Sequence, residues 1–259
     1  MDLNSKKSAI GFFDSGVGGL SVMREAIKLM PNENYIYFGD SKNAPYGTKD
    51  VNEVRRFSFE AIEFLRKKGA KAVVIACNTA TSVAISELRE YYGDFPIIGI
   101  EPALKPAVEY SNTGKIIVMA TPMTLSEKKF KNLMNSYDRR EDIIPLPCAG
   151  LVEFIERGDL QSIELEKFLQ DKLKDINKDE ISSIVLGCTH YPFVKNEIKK
   201  IVGNDVYIID GSQGTAKELK RRLNIIDRLN DCETKGTIKI FNSSEDKDII
   251  DLSYKLLEI

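Results

Sequence analysis

Two short segments of one design constrain this chain more than anything else in it. Ala72-Val73-Val74-Ile75-Ala76-Cys77-Asn78-Thr79 and Ser183-Ile184-Val185-Leu186-Gly187-Cys188-Thr189-His190 each run from apolar residues, through a small one, to a cysteine and polar groups. An apolar run this short, ending where the backbone can turn, reads as a buried strand with its reactive groups on the C-terminal loop. In an α/β sheet that edge is where ligands bind. Alone, Cys188-x-His190 is the pattern of a core cysteine beside a surface histidine, because free cysteine is among the most buried residue types. The matching segment at Cys77 weakens that structural reading.

The remaining chain alternates strands and helices around these two runs. Strands are expected at 9–13, 34–39, 96–100, 115–120, 206–209 and 237–241. Between them fall helical patterns over 20–30, 51–68, 80–91, 103–110, 123–135, 163–174, up to 202, 212–223 and from about 245, with a short one through Val152, Glu153 and Ile155. A charged patch lies at 138–142, and Pro45 and Gly47 mark a turn. Alternation of this kind implies mainly parallel sheets flanked by helices. The pattern restarts midway, since Asp14 to Cys77 and Thr121 to Cys188 are spans of similar length. The expected architecture is α/β with two similar lobes, 1–99 plus 210–259 carrying Cys77 and 100–209 carrying Cys188, and a ligand cleft between them.

Composition removes several function classes. Lys and Arg total 37 against 39 Asp and Glu, and no basic block stands out, so nucleic acid is not an expected partner. Residues 1–8 are polar and no apolar run approaches the ~20 residues of a membrane span, which predicts a cytoplasmic protein. The cysteines at 77, 148, 188 and 232 show no Cys-x-x-Cys spacing, against a disulfide framework or zinc knuckle. A zinc site of Cys148, Cys188 and His190 would lack the usual ligand spacing. Asp14-Ser15-Gly16-Val17-Gly18-Gly19 invites a dinucleotide reading with Asp40 as the ribose acid, but position 21 is Ser, and Asp14 sets a negative charge where a pyrophosphate would rest. The glycines also suit a tight turn exposing helix N-terminal amides to a carboxylate.

Three readings stand for the cysteines: core residues, a cysteine–histidine nucleophile, or a pair of acid–base groups. A free thiol has a pKa near ~8.5 and needs a partner to act at neutral pH. Asp14 is a candidate for Cys77 and His190 for Cys188. Two such groups facing one carbon suit proton removal by a thiolate and return by a thiol to the opposite face, which is racemisation or epimerisation.

Phe13-Asp14-Ser15-Gly16-Val17-Gly18-Gly19, Gly39-Asp40 with Pro45-Tyr46-Gly47, Ala76-Cys77-Asn78-Thr79-Ala80-Thr81 and Gly187-Cys188-Thr189-His190-Tyr191-Pro192 together resemble the cofactor-independent aspartate/glutamate racemase family. The resemblance implies interconversion of L- and D-glutamate without pyridoxal phosphate or metal, D-glutamate serving peptidoglycan synthesis, and a homodimer. It implies that Cys77 takes the α-proton from D-glutamate with Asp14 assisting, and Cys188 from L-glutamate with His190 assisting. Asp14, Ser15, Pro45, Tyr46, Gly47, Asn78, Thr79, Thr121, Thr189 and His190 would hold the substrate, and Glu153 would be the acid near the histidine. Competing readings are a racemase of aspartate or another acidic amino acid, and a two-lobed amino-acid binding protein.

Overall fold

The computed structural model describes residues 5–110, 113–138 and 140–258. The first four residues of the polar start, and Arg139 within the charged patch, lie outside them. In chain order the elements are β1 (Ala9–Asp14), α1 (Leu20–Leu29), β2 (Tyr35–Gly39), α2 (Val51–Lys67), β3 (Ala70–Ile75), α3 (Asn78–Tyr92), β4 (Ile97–Gly99), α4 (Leu104–Tyr110), β5 (Lys115–Ala120) and α5 (Pro122–Ser126). There follow α6 (Lys128–Asn135), β6 (Ile143–Pro147), α7 (Leu151–Glu156), α8 (Ile163–Leu173), β7 (Ile181–Leu186), α9 (Lys195–Val202), β8 (Tyr207–Asp210), α10 (Ser212–Ile225), β9 (Ile238–Asn242) and α11 (Lys247–Glu258).

The strands form two parallel sheets, β4-β3-β1-β2-β9 and β6-β5-β7-β8. β3 is buried along its whole length, and β1, β5 and β7 nearly so, because helices cover both faces; such strands read as continuous apolar runs rather than alternating ones. In each order the connections depart in opposite directions at the centre, between β1 and β3 in one sheet and between β5 and β7 in the other. These switch points leave a crevice at the strands' C-terminal ends. One apolar cluster contains Ile10, Phe12 and Tyr37 of the first sheet with Ile117, Ile184 and Leu186 of the second, so the lobes share a core.

Local departures from the expected elements have identifiable causes. β6 lies outside the expected strands because Pro145 and Pro147 argue against one; it sits at a sheet edge, where a missing N–H is tolerated. The helix expected over 123–135 is two helices, since Glu127 takes an extended conformation (φ −67°, ψ 143°) between α5 and α6. Cys77 caps α3, receiving Ala80 N–H on its sulfur at 3.4 Å. Cys188, by contrast, is followed by a 3₁₀ turn at Tyr191–Val194, with α9 starting only at Lys195. Among the described residues no helix is long and apolar enough to cross a membrane.

Candidate active site

Each switch point presents the residues that directly follow its central strands. β1 ends in Asp14 and β3 leads into Cys77, while β5 leads into Thr121 and β7 into Cys188. These loops surround a tight pocket lined by Ser15, Pro45, Tyr46, Gly47, Cys77, Asn78, Thr79, Thr121, Val152, Cys188, Thr189 and His190. Every substrate-holding residue expected from the sequence is in this lining except Asp14, which lies behind it, fully buried. Pro45, Tyr46 and Gly47 are steadied by Asp40, which accepts Tyr46 O–H at 2.6 Å and the Asn43 amide.

The two cysteines have different surroundings. Ser15 Oγ lies 3.5 Å from Cys77 Sγ. Burial pushes the Cys77 thiol up to about 12, helped by the Asp14 charge and opposed by the Ala80 N–H and Ser15. Asp14 makes no hydrogen bond to Cys77; it accepts Gly16 N–H at 2.9 Å and Thr189 O–H at 2.9 Å. Its own carboxyl is raised by burial, against the opposing pull of His190 and these donors.

Cys188 Sγ instead faces His190 Nδ1 at 3.7 Å, and His190 Nε2 meets Glu156 Oε1 at 2.5 Å. Burial alone would disfavour the imidazolium, but the hydrogen bonds to Cys188 and Glu156 and their charges outweigh it, holding His190 well above its ordinary range. Thus one thiol sits beside a carboxylate and the other beside a cation.

The resemblance in sequence puts the acid near the histidine at Glu153, but the carboxylate that reaches the ring is that of Glu156, three residues further along α7; both glutamates are partly buried and neither lines the pocket. Glu156 also accepts Val17 N–H at 2.7 Å and Ser41 O–H at 3.3 Å. The glycine-rich turn makes this approach possible: a Cβ at Gly16 would collide with the Glu156 carboxylate and one at Gly18 with the His190 ring. The same turn is held by Tyr37 O–H on Gly16 C=O at 2.7 Å. Its glycines therefore admit two side chains from the other lobe, a requirement unrelated to dinucleotide binding. Among the described residues, no three His, Cys, Asp or Glu side chains converge as a metal-binding group.

The Asp/Glu/Hydantoin racemase family profile matches residues 15–219. The chain is 63% identical over 254 residues to a glutamate racemase of Clostridium perfringens (strain ATCC 13124), covering 98% of each sequence. Its fold is similar to that of a glutamate racemase isoform from Bacillus anthracis, with TM-score 0.88 and 33% identity over 98% of this chain and 95% of that one. A glutamate racemase from Francisella tularensis, solved in complex with D-glutamate, gives TM-score 0.85 and 29% identity over 98% and 95%.

Proposed function

The chain belongs to the Asp/Glu/Hydantoin racemase family, and we propose that it interconverts L- and D-glutamate by proton transfer at the α-carbon, with one cysteine on each face. The observation that carries this reading is the pairing of Cys77 and Cys188 on one pocket beside partners of opposite charge. The Asp14 carboxylate favours Cys77 as thiol, and Cys188, whose sulfur lies 3.7 Å from His190 Nδ1, is the opposing base.

From that state Cys188 takes the α-proton of L-glutamate. The electron pair left on Cα is delocalised into the α-carboxylate, and Cys77 delivers its proton to the opposite face. D-glutamate leaves with Cys188 as thiol and Cys77 as thiolate, and the reverse reaction starts there.

No Lys or Arg lines the cavity, so apart from His190 the dicarboxylate is met by neutral donors: the Ser15, Thr79 and Thr121 hydroxyls and backbone N–H groups of the surrounding loops. Fixed donors in a water-poor site stabilise the developing carbanion more than mobile solvent does. Asn78 Oδ1 is buried without a partner and supplies an acceptor for the substrate ammonium. The D-glutamate bound in the Francisella neighbour supports the substrate assignment. In this reading 1–99 plus 210–259 bring Cys77, 100–209 bring Cys188, and the protein acts as a cytoplasmic homodimer supplying peptidoglycan synthesis. Aspartate is the nearest competitor, since one methylene is worth only ~1–3 kcal/mol.

Incubating L-glutamate with the protein in D₂O tests the proposal. Optical activity and the α-hydrogen signal are expected to decay together, and Cys77→Ser and Cys188→Ser are each expected to abolish racemisation while retaining glutamate binding. Full optical activity with an unexchanged α-hydrogen in the wild type would sink the reading.

A further inference from the structure

Three threonine hydroxyls close a ring where the two sheets meet. Thr79 Oγ1 lies 3.0 Å from Thr121 Oγ1 and 3.1 Å from Thr124 Oγ1, and the latter two are 3.0 Å apart. Thr79 comes from the first turn of α3 and the others from the start of α5, so the ring joins the lobes. All three are buried. Thr79 and Thr121 line the active-site cavity; Thr124 does not.

Each hydroxyl carries one proton and two acceptor lone pairs. Three contacts among three hydroxyls therefore use all three protons, each hydroxyl donating once around the ring. Thr121 Oγ1 also accepts Thr124 N–H at 3.2 Å, as the cap of α5, which fills its remaining lone pair and fixes its rotamer. The ring is then fully satisfied with no substrate bound.

A carboxylate changes this count because it can only accept. For Thr79 and Thr121 both to donate to it, their two protons leave the ring, and the proton that remains is that of Thr124. Donated to Thr79 Oγ1, it keeps a buried oxygen satisfied, and a hydroxyl that accepts a hydrogen bond is itself a stronger donor.

We infer that Thr124 is a positioning residue: without touching the substrate, it lets the Thr79–Thr121 pair exchange a contact between lobes for a two-donor grip on one carboxylate of glutamate. The inference rests on the glutamate activity proposed above. A grip present equally in ground and transition states acts on KM rather than kcat.

Steady-state kinetics with both enantiomers test it. Thr124→Val, which keeps the shape and loses the hydroxyl, is expected to raise KM about tenfold in both directions with kcat within about twofold, the scale of a weakened hydrogen bond to a charged group. Thr124→Ser is expected to restore KM. An unchanged KM in Thr124→Val, a loss confined to kcat, or failure of Thr124→Ser to rescue would overturn the inference. If Thr124→Val does not fold, Thr124→Ala carries the same comparison, with its native fold checked by urea unfolding. A wild type that fails to racemise glutamate would overturn the proposed function and this inference together; an active wild type with an unaltered variant KM overturns this inference alone.

Discussion

His190 Nε2 lies 2.5 Å from Glu156 Oε1, and the other nitrogen of the ring faces Cys188. Glu156 thereby helps to keep the ring charged beside the Cys188 sulfur. Glu156→Gln removes the charge and preserves the shape, so racemisation measured by polarimetry is expected to fall by about 10²-fold, the low end for a well-placed acid or base. Glu153→Gln, which makes no bond to the ring, is expected to stay within about twofold. Equal losses in the two variants would refute the assignment to Glu156.

The asymmetry of the cysteines is open to chemical measurement. With its thiol pushed up to about 12, Cys77 is almost wholly protonated at pH 8, and its thiolate fraction grows as the pH rises towards that value. Cys188, beside an imidazolium, is expected to react far ahead of it. Alkylation by iodoacetamide followed by peptide mass spectrometry should label Cys188 first at neutral pH and Cys77 only as the medium becomes strongly alkaline. Equal rates at pH 8 would remove the basis for a resting state with Cys188 as base.

How far sequence alone reaches depends on whether a position is set by its strand or by its neighbours in space. The central strands are legible because burial on both faces leaves unbroken apolar runs, and the lining residues are legible because they follow those runs directly. β6 is hidden by its prolines, and the break at Glu127 by helical spacing that continues across it. Glu153 and Glu156 differ by three positions on one short helix, a separation that places both near the same face; only the packing of α7 against the glycine turn separates them. Thr124 is invisible for a similar reason, since its contact with Thr79 crosses between the sheets.

Gly18→Ala probes the glycine turn. The added methyl would sit 2.6 Å from His190 Cε1 and 2.7 Å from Cγ, so the ring must shift away from Cys188 or Glu156. Racemisation is expected to fall at least about tenfold, because geometric errors near 1 Å are costly in catalysis, and alkylation of Cys188 should slow. Gly214→Ala, whose Cβ would meet nothing within 4 Å, serves as the control and is expected to retain activity. Full activity in Gly18→Ala would mean that the close approach is not needed.

The raised pKa of His190 also links stability to pH. Its folded-state value stands above the unfolded one near ~6.5, so the folded protein binds this proton more tightly than the unfolded chain does. That contribution is fully present below about pH 6.5 and is lost as pH rises through the folded-state value. Glu156→Gln removes a hydrogen-bonded negative charge that raises it, although the Cys188 partner remains. Urea midpoints of the wild type and Glu156→Gln, compared from pH 5 upwards, are therefore expected to differ most at the acid end, the gap narrowing to a fixed value as the medium becomes alkaline. The Val17 and Ser41 bonds to residue 156 do not titrate in this window, so they shift the curves by a constant and leave the narrowing intact. A gap that stays constant across the range, or widens with pH, would show that Glu156 does not hold the proton on His190.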